Sequence, residues 1–191
     1  MQGIVSLLPP DYSSQVKALW DELYTEFGLQ GVQITPYAQF SWQIVQEYDF
    51  QQLDPILEEI ARRTSPLKVR TAGIYLLTGP RPVIAIGIVK TIPLIKLQEE
   101  LWNRLTEIAT DPSPLYHPQA WLPHIPLAFE DVTQENLSAI IGKLGFRPLA
   151  WEMTIDNLSV LSQEPGNASE LSLQYPLNGE IVDREESQTA S

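Results

Sequence analysis

The residues best suited to acid-base chemistry lie in a short apolar segment, 121–129, which reads Trp-Leu-Pro-His-Ile-Pro-Leu-Ala-Phe. Its length, its aromatic and aliphatic content and the acidic pair that follows it predict a β-strand. Side chains two positions apart on a strand share a face, so His124 and Pro126 point the same way. Imidazole titrates near neutral pH and can transfer protons, although a lone histidine on an apolar strand is also typical of a hydrogen-bonded core residue.

A second polar pair lies on a similar segment earlier in the chain. Residues 39–45 read Gln-Phe-Ser-Trp-Gln-Ile-Val and also predict a strand. Gln39 and Ser41 share one face by the same period of two. Each predicted strand therefore presents a pair of residues separated by one apolar position.

Together the two segments resemble the two-histidine phosphoesterase superfamily, the LigT-like group that includes the 2′-5′ RNA ligases and the RNA cyclic phosphodiesterases. These proteins carry the pattern H-x-T/S once in each half of the chain. Here the first copy has Gln39 in place of the histidine and keeps Ser41. The second copy keeps His124 and has Pro126 in place of the hydroxyl residue. The resemblance therefore indicates a degenerate member.

The resemblance also implies a mechanism, in which the two histidines act as general base and general acid on a 2′,3′-cyclic phosphate or a 2′-5′ linkage. The motif hydroxyls bind the phosphoryl oxygens, and no metal or other cofactor is needed. The amide of Gln39 does not titrate in the useful range, and Pro126 has neither a hydroxyl nor a backbone N–H. We expect catalysis at His124 and Ser41, with Gln39 and Pro126 degenerate, to be weak or absent, and the cleft still to bind a nucleotide or phosphate. The alternative is an active phosphoesterase that uses His124 as its acid or base.

Further candidates for substrate binding surround the motifs. Aromatic side chains could stack on a base, although aromatic residues on strands are more often part of a core. Arginine side chains on or near the middle strands could bind phosphate, and His117, in the loop before the second motif, could lean toward the cleft or simply be exposed. The aromatic candidates are Tyr37, Trp42 and Trp121, and the arginine candidates are Arg70 and Arg81.

Hydrophobic periodicity predicts the order strand, helix, motif strand, helix, strand twice, which favours an α+β fold. The predicted strands cover residues 4–8, 39–45, 67–78, 83–89, 121–129, 151–161 and 171–177, and apolar faces at helical spacing cover residues 16–27, 53–61, 94–108 and 137–144. The second helix begins either after a cap at Asp49 or at Asp54-Pro55. Thr133 is the expected cap of the fourth helix and Gly145 its end.

The resemblance adds two similar lobes, with antiparallel sheets flanking a central cleft. We assign residues 1–79 to the first half-repeat and residues 80–178 to the second. Residues 179–191 form an acidic tail that we expect to be disordered.

Composition limits the partners. The net charge of −12 disfavours a long duplex, because such binding depends on neutralised phosphates, and leaves a small nucleotide or an RNA end as the expected ligand. The chain has no cysteine, no zinc-type ligand spacing and no nucleotide-binding glycine motif. No apolar run approaches the about 20 residues needed to span a bilayer, so we expect a cytoplasmic protein without membrane contact. The oligomeric state is left open.

Overall fold

Two four-stranded antiparallel sheets and four α-helices make up the fold in the computed structural model, which describes residues 1–179. This arrangement confirms the predicted α+β class. The strands are β1 (Gln2–Leu7), β2 (Gln39–Val45), β3 (Glu47–Tyr48), β4 (Leu67–Leu77), β5 (Val83–Ile88), β6 (Ala109–Thr110), β7 (His124–Ala128), β8 (Glu152–Ile155), β9 (Asn157–Ser162) and β10 (Glu170–Pro176). The helices are α1 (Pro10–Phe27), α2 (Phe50–Arg63), α3 (Ile92–Leu105) and α4 (Leu137–Leu144). From residue 180 onward, the predicted acidic tail lies outside the described residues.

Each large sheet takes strands from both halves of the chain. The first sheet has the order β10-β9-β1-β2 and the second the order β7-β5-β4-β8, while β3 and β6 form a separate pair. Strand β4 of the first half pairs with β5 and β8, and β9 of the second half pairs with β1. The sheets are therefore not separated at residue 79, and the half-repeat division of the chain remains a prediction about the order of elements.

Near its C-terminal end, the chain passes from one large sheet to the other at a break within one apolar segment. The sequence predicts a single strand over residues 151–161, but the structure divides it into β8 and β9 at Asp156, one strand in each sheet. The Asp156 carbonyl accepts a hydrogen bond from the Leu177 N–H at 2.8 Å. The Asn157 side chain then exchanges two hydrogen bonds of 2.9 Å with the backbone of Leu7. These bonds fix the point at which the chain passes between the sheets.

The helices cover the sheets in two pairs. Helix α1 contacts β7, α3 contacts β2, and α2 contacts β9 and β10. Ion pairs join α1 to α4 through Lys143, Glu22 and Glu26, both at 2.5 Å, and α2 to α3 through Glu59 and Arg104 at 2.9 Å. Ion pairs at a protein surface contribute about 0–1 kcal/mol each, so we expect burial of the apolar helix faces to supply most of the stability.

The structure shows where two of the helices begin. Asp49 caps α2 by accepting a hydrogen bond from the Gln51 N–H at 3.0 Å, which decides between the two predicted starts. Helix α4 begins after Asn136, so the predicted cap at Thr133 is wrong. Thr133 instead forms a turn with Asn136, in which each backbone N–H donates to the other side chain, at 2.8 and 3.4 Å. Gly145 ends α4 as predicted.

A short connection clamps the loop after β7 onto the segment that precedes β2. The Asp131 carboxylate accepts hydrogen bonds from the backbone N–H groups of Gln30 and Gly31, the latter at 2.8 Å. Gly31 begins a short 3₁₀ helix, and a Cβ atom built on it would lie 1.9 Å from the Phe129 carbonyl oxygen. Only glycine permits this close approach of two backbones.

We therefore predict that Gly31→Ala lowers the free energy of unfolding by about 1–3 kcal/mol, because the Phe129 backbone has to move. Gly142→Ala is the matched control, since a Cβ there meets nothing within 4 Å. That substitution should raise stability by about 0.5–1 kcal/mol, because alanine loses less entropy in a helix. Urea unfolding of both variants checks these two predictions. A Gly31→Ala variant as stable as the parent would show that the Gly31 and Phe129 backbones do not need this close approach.

Candidate active site

The two motif strands are edge strands that meet. Strand β2 is the last strand of the first sheet and β7 the last strand of the second, and the two are in contact. Trp121, just before β7, donates from Nε1 to the Ser41 carbonyl at 2.9 Å and so ties the edges together. Over residues 39–42 the faces of β2 alternate as predicted: Phe40 and Trp42 point into the core, and Gln39 and Ser41 point the other way.

All four motif residues line one cavity. Its volume is about 350 Å³, with Gln39 and Ser41 coming from β2 and His124 and Pro126 from β7. The roles of these side chains remain predictions, but the structure brings them together as a site must. Much of the remaining wall is apolar and comes from both sheets and the adjoining loops, with Val5, Ile34, Ile44, Val83, Phe129 and Leu161 as its main apolar members.

The two β2 residues bind each other. The Ser41 hydroxyl donates to the Gln39 side-chain oxygen at 3.2 Å, which leaves the Gln39 NH₂ group as a donor for a ligand. Tyr116 also lines the cavity. Burial raises the pKa of the Tyr116 phenol, and the nearby Ser41 side chain opposes part of that rise. Tyr116 is therefore a neutral hydrogen-bonding group at physiological pH.

His124 is held in one tautomer. Its Nδ1 atom lies 2.6 Å from the Leu122 carbonyl oxygen, and because a carbonyl can only accept, Nδ1 carries the proton. In the neutral ring, Nε2 therefore keeps its lone pair and can accept a proton or a hydrogen bond. Burial lowers the pKa of His124, and the bond to Leu122 offsets part of that effect. The ring is thus neutral at pH 7.

Pro126 is tolerated because β7 is an edge strand. Proline cannot donate to a sheet, so it is normally confined to edges and bulges. It pairs with Ala85 of β5 next to a register shift, and its carbonyl accepts a hydrogen bond from Trp20 Nε1 of α1 at 3.0 Å. Its ring faces the cavity where the family pattern has a hydroxyl.

The two predicted base-stacking tryptophans do not face the cavity. Trp42 and Trp121 are 0% and 2% exposed, and their rings stack on each other with centroids 5.4 Å apart. The Trp42 indole donates to the Ser6 hydroxyl at 2.8 Å. No ring face is left for a base, so both residues hold the site together from behind and their predicted role as stacking partners is corrected.

The remaining candidates are not part of the cavity wall. Arg70 is exposed on β4 opposite Glu152, and Arg81 is exposed and lies 3.7 Å from Glu130. Tyr37 is partly exposed and does not line the cavity. The His117 ring packs edge-on against Trp102, with centroids 5.3 Å apart, and is not part of the cavity wall.

Several cavity residues carried no sequence signal. They come from loops and from strands without a motif, so only the three-dimensional arrangement shows them. The polar members are Gln2, Thr35, Tyr116, Glu130, Gln163 and Ser169. Within residues 1–179, no lysine or arginine lines the cavity, no cluster of acidic and histidine side chains could hold a metal ion, and no helix is long and apolar enough to cross a membrane. The cytoplasmic location remains a prediction.

Comparison with known proteins identifies the family to which this fold belongs. The chain belongs to the 2′-5′ RNA ligase superfamily, whose sequence model matches residues 34–167. Its fold is similar to that of TT0787 of Thermus thermophilus, at 15% identity and a TM-score of 0.66, covering 94% of this chain and 98% of that one. A second similar structure, described as a phosphoesterase, has 13% identity, a TM-score of 0.57 and coverage of 92% and 97%. Among curated proteins, none matches the sequence significantly.

The lowered pKa of His124 predicts a pH dependence of stability. Below about pH 6.5 the unfolded chain protonates this histidine more readily than the folded chain does. The free energy of unfolding therefore decreases as the pH is lowered. The contribution is fully present above that pH and is lost as the solution is acidified. His124→Gln should flatten this part of the stability curve between pH 7.5 and 5.5.

NMR titration of the two histidine rings checks the same point, with His117→Gln assigning the signals. We expect His124 to titrate below the ordinary value for histidine. A His124 pKa at or above that value would contradict a partly buried ring that is neutral at pH 7.

Proposed function

We propose that this protein binds a small phosphoester or nucleotide in the cavity and turns it over weakly or not at all. The observation that carries the proposal is that His124 shares its cavity with Gln39 rather than with a second histidine. A nucleotide or an RNA end is the expected ligand, because the chain belongs to the 2′-5′ RNA ligase superfamily.

The chemistry of the site supports impaired catalysis. Breaking a phosphodiester by acid-base catalysis needs one group to remove a proton and another to deliver one. His124 can accept a proton at Nε2, but Gln39 can only donate or accept hydrogen bonds. Loss of one proton-transfer group typically costs about 10²–10⁴-fold in rate. Binding survives this loss, because the Gln39 amide, the Ser41 hydroxyl and His124 still offer hydrogen bonds.

The second candidate function is an active phosphoesterase that uses His124 as its base. The position of Tyr116 in the same cavity favours it, because a phenol can deliver a proton. Burial raises the pKa of Tyr116, however, which makes it a weak acid near neutrality. A parent enzyme that hydrolyses 2′,3′-cyclic nucleotides, and loses that activity in Tyr116→Phe, would establish this alternative.

Restoring the motif tests the first proposal. Gln39→His returns a second titrating group, and Pro126→Thr returns a hydroxyl and a backbone donor. We predict that the double variant hydrolyses a 2′,3′-cyclic nucleotide about 10²–10⁴-fold faster than the parent, because it regains a proton-transfer group. Initial rates measured by chromatography of the product check this.

His124→Ala in the restored background is the control and should abolish the gain. A folded double variant that stays as inactive as the parent would show that the cavity has diverged beyond these two positions.

Anion binding should depend on pH. Protonation of His124 gives the cavity a positive charge, and that charge is gained only below the lowered pKa. We predict that inorganic phosphate binds more tightly at pH 5.5 than at pH 8, when measured by calorimetry. His124→Gln should remove the difference, and equal affinity at both pH values in the parent would exclude His124 as the anion ligand.

A further inference from the structure

One buried hydroxyl in the cavity wall has no partner. Thr35 lines the cavity and is 9% exposed, and its Oγ1 atom is buried without a hydrogen bond among the described residues. Proteins pair nearly all such groups, because an unpaired buried hydroxyl is costly. Thr71, which is 5% exposed, shows the usual case: its hydroxyl donates to the Leu149 carbonyl at 2.6 Å and accepts from the Trp151 N–H at 2.8 Å.

The backbone around Thr35 is firmly held. Its N–H donates to the Val32 carbonyl at 3.3 Å, and the preceding carbonyl, of Ile34, accepts from the Ser169 N–H at 2.8 Å. The 3₁₀ helix that ends there is held at its start by Asp131. The position is therefore fixed from both sides. The hydroxyl is the one part of Thr35 whose hydrogen-bonding capacity the described chain leaves unused.

The charges along the described wall nearly cancel. They are the Glu130 carboxylate and the Met1 ammonium, which donates to the Gln163 carbonyl at 3.0 Å. His124 is neutral at pH 7 because of its burial. The described wall has no excess of positive charge to match a phosphate dianion, because Glu130 offsets the Met1 ammonium and also pairs with Arg81 outside the wall, whereas an uncharged ligand loses no comparable hydration.

The size and lining suggest the kind of uncharged ligand. A volume of about 350 Å³ lies at the lower end of the range for small-molecule sites, about 300–1,000 Å³. The side-chain amides of Gln2, Gln39 and Gln163 lie among apolar residues such as Val5 and Leu161. Amides that alternate with apolar surface suit a ligand with several hydrogen-bonding groups on a mainly apolar framework.

We infer that Thr35 is a ligand-binding residue and that the cavity takes, at neutral pH, an uncharged hydrogen-bonding molecule of about nucleoside size. The inference rests on the proposed function and narrows it: the nucleoside part, rather than the phosphate, supplies the affinity. The Thr35 hydroxyl gains its missing partner when the ligand binds.

Calorimetry with uridine, adenosine and their 5′-monophosphates at pH 8 tests this. At least one nucleoside should bind as tightly as its monophosphate or more tightly. Thr35→Val, which keeps the side-chain shape, should weaken nucleoside binding about three- to tenfold, the effect of one hydrogen bond. Without ligand it should raise the melting temperature by about 2–4 °C, because it removes an unpaired buried hydroxyl. Higher stability together with lower affinity distinguishes a ligand-binding group from a structural one.

Thr71→Val is the matched control, which should lower the melting temperature and leave the affinity unchanged. Thr35→Ser keeps the hydroxyl and should bind within about twofold of the parent, and it serves if the valine variant fails to fold. Nucleoside binding that is the same in Thr35→Val as in the parent overturns the role of Thr35 while the proposed function stands. A monophosphate that binds more than tenfold tighter than its nucleoside overturns the uncharged-ligand assignment. If the folded parent binds none of the four probes, the proposed function fails as well.

Discussion

The site depends on how the open edges of two sheets are joined. Strands β2 and β7 each have a strand neighbour on one side only in the described sheets, and Trp121 bridges them through its hydrogen bond to the Ser41 carbonyl. Its ring stacks on Trp42, which Ser6 anchors to β1. A stacked pair and a hydrogen bond each contribute only about 0.5–1.5 kcal/mol. Because both indoles are also fully buried, the junction is nevertheless part of the main core.

At this junction, the residues that hold the strands together are not the residues that face the cavity. Alternate residues of a strand point to opposite faces, so the tryptophan that supports β2 lies behind the residues that face the ligand. Substitution at Gln39 or Pro126 can therefore change proton transfer without opening the sheets. The superfamily fold is present here with Gln39 and Pro126 in the cavity wall, and the proposed retention of a binding site follows from the same separation.

The sequence predicts the local elements well and their pairing poorly. Apolar spacing located the helices and the motif strands, because those signals are contained in a few neighbouring residues. The break at Asp156 was missed, because an uninterrupted apolar run does not show that two strands enter different sheets. Trp42 and Trp121 are candidates for base stacking in the sequence because residue type alone does not separate a core aromatic residue from a binding one, and the structure places both in the core. Thr35 and Tyr116 belong to no motif, and only folding brings them to the cavity.

We propose above all that the cavity still binds a nucleotide but has lost one of the two groups needed for proton transfer. Single-turnover hydrolysis of a 2′,3′-cyclic nucleotide tests it most directly, with the parent and His124→Ala both held at a protein concentration that calorimetry shows to saturate the nucleotide. We predict that both proteins bind the nucleotide and hydrolyse it slowly, with at most one ionising group in the pH dependence of the parent rate. A parent that cleaves the bound nucleotide at least about 10²-fold faster than His124→Ala and shows a bell-shaped pH dependence would contradict this, since an acid and a base would then both be at work.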